Sequence, residues 1–469
     1  MSIQNIDIQR IRRLQDSDFT LPETKKDVFN LIESLCAIII EQNEIIQELR
    51  DEINRLKGEK GAPKFKPGKK ETSEKEGLAK MERGEKNEWN KGTKTEKIKV
   101  DRTVTIELDR SGLPEDIEFK GYEERVIQNI IIKTDNVMYR LEKYYSPSLK
   151  KTYTAEMDES VKGTEYGPET KALISTLYYE NRVTENKITA FLNANGLHIS
   201  EGTVSNILIK EQSEALTEIR NGIFEAGLAS STYQQIDDTG MKVAGKNEYA
   251  TIVCNEKYSV FFINASKSRE TVKSFLNAFL VTLFIVLVGD DAPQFKEIAR
   301  RYALCWVHEE RHYKKLTPVL ECHQKEVERV RGEIWEYYKK LKEYKRKPTD
   351  KRKLELWDEF DALFGQETDY DELNKRLALT SAKKSELLTV LDYPEVPLHN
   401  NLSENGVREM VMKRKISGGV KTDDGVTAWE NNMSISATCK KLGVSFYEFM
   451  KSVFAKNVTV DFSELILQR

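Results

Sequence analysis

Two stretches of the chain, TYQQIDD at residues 232–238 and TLFIVLVGDD at residues 282–291, decide the fold that we expect. Each reads as a strand that ends in two carboxylates, and the long apolar run of the second is typical of a strand buried on both faces. The segments around them predict two strands (EYATIVCN, 248–255; YSVFFIN, 258–264), two helices (RETVKSFLNAF, 269–279; PQFKEIARRY, 293–302) and a last strand (ALCWV, 303–307). The order β-β-β-α-β-α-β predicts an α/β layer with a mixed central sheet.

The two acidic strand ends predict a metal site. If the strands are neighbours, one carboxylate from Asp237 or Asp238 meets one from Asp290 or Asp291 at the sheet edge. Carboxylates are the hard oxygen ligands that Mg²⁺ prefers, and two such ions roughly 4 Å apart can clamp a phosphodiester. The pattern leaves open which aspartate of the second pair is the ligand.

A third carboxylate is available on a predicted helix that starts near Asn401. Helical spacing places Glu404 and Arg408 on one face, where Glu404 could complete the metal site. A surface ion pair between the two side chains is the alternative. Four basic residues of the helix are candidates for neutralising DNA phosphates: Arg408, Lys413, Arg414 and Lys415.

A helix-turn-helix is predicted upstream of the strands. KITAFLNAN (187–195) is followed by Gly196 and by a second helix that opens at Ser200. The leading turns of that helix carry the polar side chains that a recognition helix presents to DNA, namely Thr203, Ser205 and Asn206. An ordinary helical hairpin is the alternative.

The N-terminal region carries a heptad repeat. Isoleucine and leucine alternate at its a and d positions, with Gln42 as the one polar exception: Ile32, Leu35, Ile39, Ile46, Leu49, Ile53 and Leu56. Isoleucine at a with leucine at d favours a parallel dimeric coiled coil. The alternative is an amphipathic helix that folds onto its own chain.

Composition excludes several classes of protein. The 469 residues include 74 Lys and Arg against 77 Asp and Glu, a formal net charge of −3 that neither supports nor excludes a nucleic-acid partner. The longest apolar run, residues 278–288, is shorter than the ~20 residues of a membrane span, and no secretory signal is evident. Five cysteines without a C-x-x-C pair favour a reducing cytoplasm over a disulfide framework.

Four segments in order, IDDTGMKV, VGDDAPQF, CWVHEERHYKKL and VPLHNNLSENGVREMVMKRK, resemble transposases of the insertion-sequence 66 family over roughly residues 167–450. The resemblance implies a bacterial DNA transposase with a ribonuclease-H-like catalytic domain of DDE type. It implies Asp237, Asp290 and Glu404 as catalytic residues that hold two Mg²⁺ ions, for which Mn²⁺ can substitute. Asp291 stands where the family often has glycine, and it is a further candidate ligand. His308 and Arg311 of the third segment are expected to contact DNA.

The partners implied are double-stranded DNA (element ends and target), a second copy through the coiled coil and possible accessory proteins. The protein is then expected in the cytoplasm, associated with the nucleoid when bound to DNA. Two alternatives remain: a catalytically silent DNA-binding protein derived from a transposase, and a structure-specific nuclease on the same fold.

The chain departs from the family pattern in three places. The family's cysteine-rich zinc module has no counterpart, because residues 101–157 contain no cysteine, and the helix motif carries His399 and Asn405 where the family has Asp and Arg. A cluster of cysteine and histidine residues has the side-chain types that bind zinc: Cys305, His308, His312, Cys322 and His323. We favour roles in packing and in positioning DNA for these residues.

The expected organisation follows from these patterns. It comprises an N-terminal helix with a dimeric coiled coil (1–57), a flexible basic linker (58–100), a small β-rich module without zinc ligands (101–160), the helix-turn-helix region (161–228), a catalytic domain in two pieces (229–312 and 387–455), an α-helical insertion (313–386) and a C-terminal tail (456–469).

Overall fold

The computed structural model describes residues 22–56, 98–109, 118–158, 162–277 and 286–468. The chain divides into two compact units. One unit consists of residues 42–133, and the other combines residues 1–41 with residues 134–469. The linker predicted at 58–100 lies almost wholly outside the described residues.

The larger unit is mostly helical around one sheet. Its strands and helices, with the first helix continuing into the smaller unit, are α1 (Pro22–Leu56), β1 (Lys143–Ser146), β2 (Lys151–Thr154), α2 (Pro168–Ser175), α3 (Glu185–Ala194), α4 (Glu201–Ile209), α5 (Ser213–Ala229), β3 (Tyr233–Val243), β4 (Lys246–Cys254), β5 (Ser259–Asn264), α6 (Arg269–Asn277), β6 (Val286–Gly289), β7 (Arg301–Leu304), α7 (Trp306–Lys314), α8 (Glu321–Arg346), α9 (Asp350–Phe364), α10 (Asp371–Ser381), α11 (Lys384–Leu387), α12 (Asn401–Ser417), α13 (Asp423–Leu442), α14 (Phe446–Phe454) and α15 (Phe462–Gln468).

The central sheet has five strands in the order β5-β4-β3-β6-β7. β3, β4 and β5 form an antiparallel meander, whereas β6 and β7 continue from β3 in parallel. β6 is buried throughout. This agrees with the prediction, made from its apolar run, that the strand is covered on both faces. The prediction of a mixed α/β layer is confirmed.

Helix α13 protects the β5 edge of this sheet with side chains rather than with another strand. Ser434 Oγ accepts a hydrogen bond from the backbone N–H of Phe261 at 2.9 Å, and Glu430 Oε1 accepts one from Ile263 at 2.6 Å. These bonds satisfy edge amides that would otherwise be open to pairing with another chain.

One predicted helix is absent. PQFKEIARRY forms only a 3-10 turn at Pro293–Phe295, and its last residues already belong to β7. The strand predicted over ALCWV instead runs from Arg301 to Leu304, since Cys305 occupies the N-cap position of the helix that Trp306 begins. The parallel connection from β6 to β7 is therefore made by residues 290–300, whose regular structure is one 3-10 turn, and local helical spacing could not indicate this.

The chain between β7 and α12 is mostly helical, and it packs around Trp306. The indole is 1% exposed, its Nε1 donates to the carbonyl of Leu387 at 2.9 Å, and its ring lies 5.5 Å from that of Tyr337. Burying a large aromatic side chain that also satisfies its polar atom fixes the insertion to the end of the sheet.

Helix α1 is continuous, as the heptads predict, and it exposes their apolar side chains. Ile39 is 57% exposed and Leu49 is 58% exposed, while the side chains of Ile53 and Leu56 lie outside the described set. Glu33 on another face is buried, and its carboxylate accepts from the backbone N–H of Leu320 at 2.9 Å and contacts His323 Nδ1 at 3.2 Å. The helix thus folds onto its own chain on one side and leaves the heptad side open.

The β-rich module is not confirmed. Within residues 98–109 and 118–158 the regular structure is the hairpin of β1 and β2. Ile106 and Ile130, which alternate with polar residues as half-buried strands would, are 88% and 91% exposed. Alternation alone does not make a sheet when no second layer covers the apolar face.

The predicted C-terminal tail is instead part of the fold. Helix α15 buries Phe462 (4% exposed) and Ile466 (0% exposed), and Ser463 Oγ donates to the carbonyl of Gly222 in α5 at 3.4 Å.

No helix among the described ranges has the length and apolar character needed to cross a bilayer.

Candidate active site

Asp237 and Asp290 lie side by side on neighbouring strands. The parallel register pairs Gln235 of β3 with Val288 of β6, so continuing it by two residues brings Asp237 beside Asp290. Side chains alternate between the faces of a sheet within β3, so Asp237 and Asp238 lie on opposite faces. Asp290 and Asp291 follow Gly289, the last residue of β6, and the charge of Asp290 acts on Asp237.

Helix α12 covers the face that holds this pair. Asp237 is opposite Ile252 on β4, and Gly406 of α12 lies so close to Ile252 that a Cβ there would be 2.1 Å from its Cδ1. A Cβ at this position would force the Ile252 side chain to shift. Glu404 is in the first turn of the same helix, on the same side of the sheet as Asp237.

The environment of Asp237 disfavours its ionised form. Burial, the charge of Asp290 and a smaller effect of Glu404 raise the pKa of Asp237 to about 7, against a bond from the Asp238 amide that lowers it. Burial also raises the pKa of Asp290, although His308 and the amide of Ala292 oppose the shift. Carboxylates that repel one another in a partly dry site are poised to accept a cation.

Glu404 is engaged by cationic and imidazole groups. Its carboxylate lies 3.1 Å from both His308 Nε2 and Arg311 and 3.4 Å from Arg408. Burial, followed by the nearby Arg311 charge, lowers the pKa of His308. Across the described ranges no three His, Cys, Asp or Glu residues meet with metal-binding geometry, so in this arrangement Glu404 does not share a ligand sphere with the aspartates.

The second aspartate of each pair has its own partners. Asp291 forms ion pairs with Lys296 at 2.7 Å and Lys383 at 2.5 Å, which lower its pKa against the effect of burial. Asp238 accepts from Gln294 Nε2 at 2.6 Å. The register and these ion pairs indicate Asp290, rather than Asp291, as the companion of Asp237, and the predicted role of Asp291 as a ligand finds no support.

The basic residues predicted on α12 do not share one environment. Arg408 and Lys415 are exposed and Arg414 is half-buried, so all three can be reached from solvent. Lys413 is 1% exposed, and its Nζ lies 3.0 Å from the centroid of the Tyr178 ring. The prediction that Lys413 contacts DNA is therefore wrong for this structure, because tertiary packing turns it inward.

The segments predicted as a helix-turn-helix are two helices, α3 and α4, which fits an ordinary helical hairpin equally well. Ser200 caps α4 by accepting from the Thr203 amide at 3.1 Å. Thr203 and Ser205 are half-buried, and Asn206 is exposed. These side chains remain candidates for DNA contact.

The predicted zinc-type cluster is dispersed. Cys305 is buried at the start of α7 and Cys322 is exposed at the start of α8. His323 is buried against Glu33 and stacks on Tyr370 with ring centroids 4.6 Å apart. His308 alone of the set belongs to the carboxylate site.

Sequence reasoning missed Gln235, Lys296 and Lys383. Lys296 lies next to the acidic pair in the chain and could have been suspected from charge alone. Lys383 is distant in sequence and Gln235 carries no charge, so no local signal indicates either.

The comparisons with known proteins agree with the resemblance. The sequence model of a family described as "Transposase IS66 family" matches residues 163–428. A curated relative, the uncharacterized protein y4jO of Sinorhizobium fredii (strain NBRC 101917 / NGR234), is 44% identical over 165 residues, which are 35% of this chain and 51% of that protein. The chain thus spans about half the length of this relative.

Proposed function

The chain belongs to the IS66 family of transposases, and we propose that it is a DNA transposase that cuts element ends and joins them to target DNA. In this proposal the substrate is double-stranded DNA, the protein acts in the cytoplasm and associates with the nucleoid when it binds DNA, and two copies form a homodimer through α1. The observation that carries it is the parallel register that brings Asp237 beside Asp290 under the helix that bears Glu404.

The sheet order supports a ribonuclease-H-like assignment for the catalytic domain. That fold is expected to place the first aspartate on its first strand, the second on its fourth strand and the glutamate on a later helix. In chain order, the first and fourth strands of this sheet are β3 and β6, and the later helix is α12.

The residues present fit a divalent cation in their donor chemistry. Asp237 and Asp290 are neighbouring carboxylates, the charge of Asp290 raises the pKa of Asp237, and in our proposal they and Glu404 hold the ions. Bound Mg²⁺ would supply activation of a water nucleophile and stabilisation of the charge that develops on the phosphodiester.

In the proposed reaction, water adds to a phosphorus at the element end, the bond to the 3′ oxygen breaks, and a 3′-hydroxyl is released. That hydroxyl then attacks a target phosphorus and displaces its 3′ oxygen, while protons pass to solvent. Asp237, Asp290 and Glu404 would hold the cation in their ionised forms, and Arg311, Arg408 and Lys415 would contact DNA phosphates.

Substitution of Asp237 tests the proposal. Asp237→Asn should abolish Mg²⁺-dependent cleavage of a labelled element end and leave end binding intact, because the charge is lost without a change in volume. Asp238→Asn is the matched control, since Asp238 faces the other side of the sheet, and it should retain cleavage. Cleavage by Asp237→Asn at the wild-type rate would refute the assignment, and a strand-transfer assay separates a transposase from a nuclease.

A further inference from the structure

A single buried side chain connects the strand of Asp237 to the helix of Glu404. Gln235 is 1% exposed, and its Nε2 donates to the carbonyl of His399 at 3.2 Å. Its Oε1 accepts from the backbone N–H groups of Leu402 at 3.1 Å and Ser403 at 3.3 Å. Both ends of the amide are thus used on the N-terminal turn of α12.

The helix does not provide this cap itself. The first N–H groups of a helix have no partner within it and normally bond to a side chain at the N-cap position. Asn400 occupies that position in α12 but its side chain makes no capping bond. Gln235, which precedes Leu402 by 167 residues in the chain, takes its place.

The connection spans the carboxylates of the site. Gln235 precedes Asp237 by two residues, hence on the same face of β3 and roughly 7 Å along the strand. Glu404 directly follows Ser403, whose amide Gln235 holds. Movement of α12 relative to β3 would have to break these bonds.

We propose that Gln235 is a positioning residue that sets the separation between the Asp237–Asp290 pair and Glu404. Catalytic groups must be held within about 0.5 Å of the productive geometry, and a displacement of about 1 Å can cost 100-fold in rate. The inference rests on the proposed function, because it concerns how the same site gathers its ligands.

The chain offers a matched control in the neighbouring residue. Gln234 is equally buried, 1% exposed, but it faces the other side of the sheet. Its Oε1 accepts from the Tyr258 hydroxyl at 2.9 Å and its Nε2 donates to the carbonyl of Gly227 at 3.2 Å. Its loss should destabilise the sheet without touching α12.

The experiment measures Mn²⁺ binding by calorimetry in the full-length chain, together with the melting temperature and end cleavage. Gln235→Met should weaken Mn²⁺ binding at least ~10-fold and reduce cleavage ~10–100-fold. Gln234→Met should bind Mn²⁺ within about threefold of wild type at a comparable loss of melting temperature. Equal Mn²⁺ affinity in the two variants would overturn the inference.

Two further variants keep the outcomes distinct. Gln235→Glu retains the acceptor for the Leu402 and Ser403 amides and should keep most of the cleavage activity. This variant decides the question if Gln235→Met does not fold. A loss of cleavage in Gln235→Glu as large as that expected for Gln235→Met would contradict the inference. If Asp237→Asn bound Mn²⁺ as tightly as the wild-type protein does, the proposed metal site itself would be refuted. Dependence on Asp237 without dependence on Gln235 would refute only the positioning role.

Discussion

At the scale of single residues, Asp237 shows how the site is balanced. It lies beside Asp290, and burial followed by that neighbouring charge raises its pKa to about 7, well above the ordinary value of 3.8. The folded state therefore binds more protons than the unfolded state between about pH 4 and pH 7. Linkage then requires that Asp237 makes the metal-free protein less stable as the pH rises through this window.

We therefore predict that Asp237→Asn stabilises the metal-free protein at pH 8. The gain should be roughly 1–3 kcal/mol, since one pKa unit corresponds to about 1.4 kcal/mol, and it should vanish near pH 4. Urea unfolding in EDTA at both pH values measures it, with Asp238→Asn as the control of smaller effect. A variant no more stable than wild type at pH 8 would contradict the proposed repulsion.

Lys413 illustrates the opposite lesson at the same scale. A lysine among basic neighbours suggests a phosphate contact, yet this one donates to the backbone carbonyl of Tyr178 and lies over that residue's ring. Burial lowers the pKa of Lys413 to about 7. Its role in this fold is to attach α12 to the helical region that contains α3 and α4.

At the scale of elements, α12 has two functions on two faces. Its first turn brings Glu404 to the sheet, and its exposed positions carry Arg408 and Lys415. Gly406 makes this possible by letting the helix approach Ile252. The helix is thus both the support of a carboxylate and a candidate surface for DNA phosphates.

The salt dependence of DNA binding can separate these faces. Lys415→Gln should reduce the slope of log K against log[salt] by about 0.9, the contribution of one phosphate contact on duplex DNA. Lys413→Met, two residues away and buried, should leave the slope unchanged. Element-end binding measured by fluorescence anisotropy across a salt series gives both slopes, and equal slopes for Lys415→Gln and wild type would exclude that contact.

At the scale of the whole molecule, helix α1 joins distant parts of the chain. Glu33 bonds to the amide of Leu320 and to His323, and Asn30 bonds to the backbone of Asp369 and Asp371 at 2.8 and 2.9 Å. These contacts hold the first part of α1 against the helical insertion. The heptad side chains from Ile32 to Leu49 are exposed, which is the arrangement expected of a surface that pairs with a second copy.

We predict that Ile39→Glu combined with Leu49→Glu converts a dimer to a monomer. Each buried apolar side chain of such size contributes about 1.5–3 kcal/mol, so the dimer should weaken at least ~100-fold. Sedimentation velocity measures the change. Glu44 is exposed on the same helix but lies outside the a and d positions, so Glu44→Gln should remain dimeric. A wild-type chain that sediments as a monomer would refute the dimer.

Much of the architecture follows from local pattern. The strands of the sheet, the helix pair of the helix-turn-helix region, the helical insertion and the continuous α1 were all predictable, because each depends on the periodicity of neighbouring residues. The pattern failed where a chain segment had no partner or an unexpected one. Residues 101–158 alternate without forming the predicted sheet, and PQFKEIARRY makes a turn between parallel strands instead of a helix.

By itself, the sequence determined the family, the strands that end in carboxylates and the helix that carries Glu404. Only the tertiary structure decided that the charge of Asp290 acts on Asp237, that Lys413 is buried, and that Gln235 caps α12. The physical reason is that periodicity is a property of adjacent residues. Burial, strand register and the partners of a polar group are set by segments that meet only after folding, up to 168 residues apart for Gln235 and Ser403.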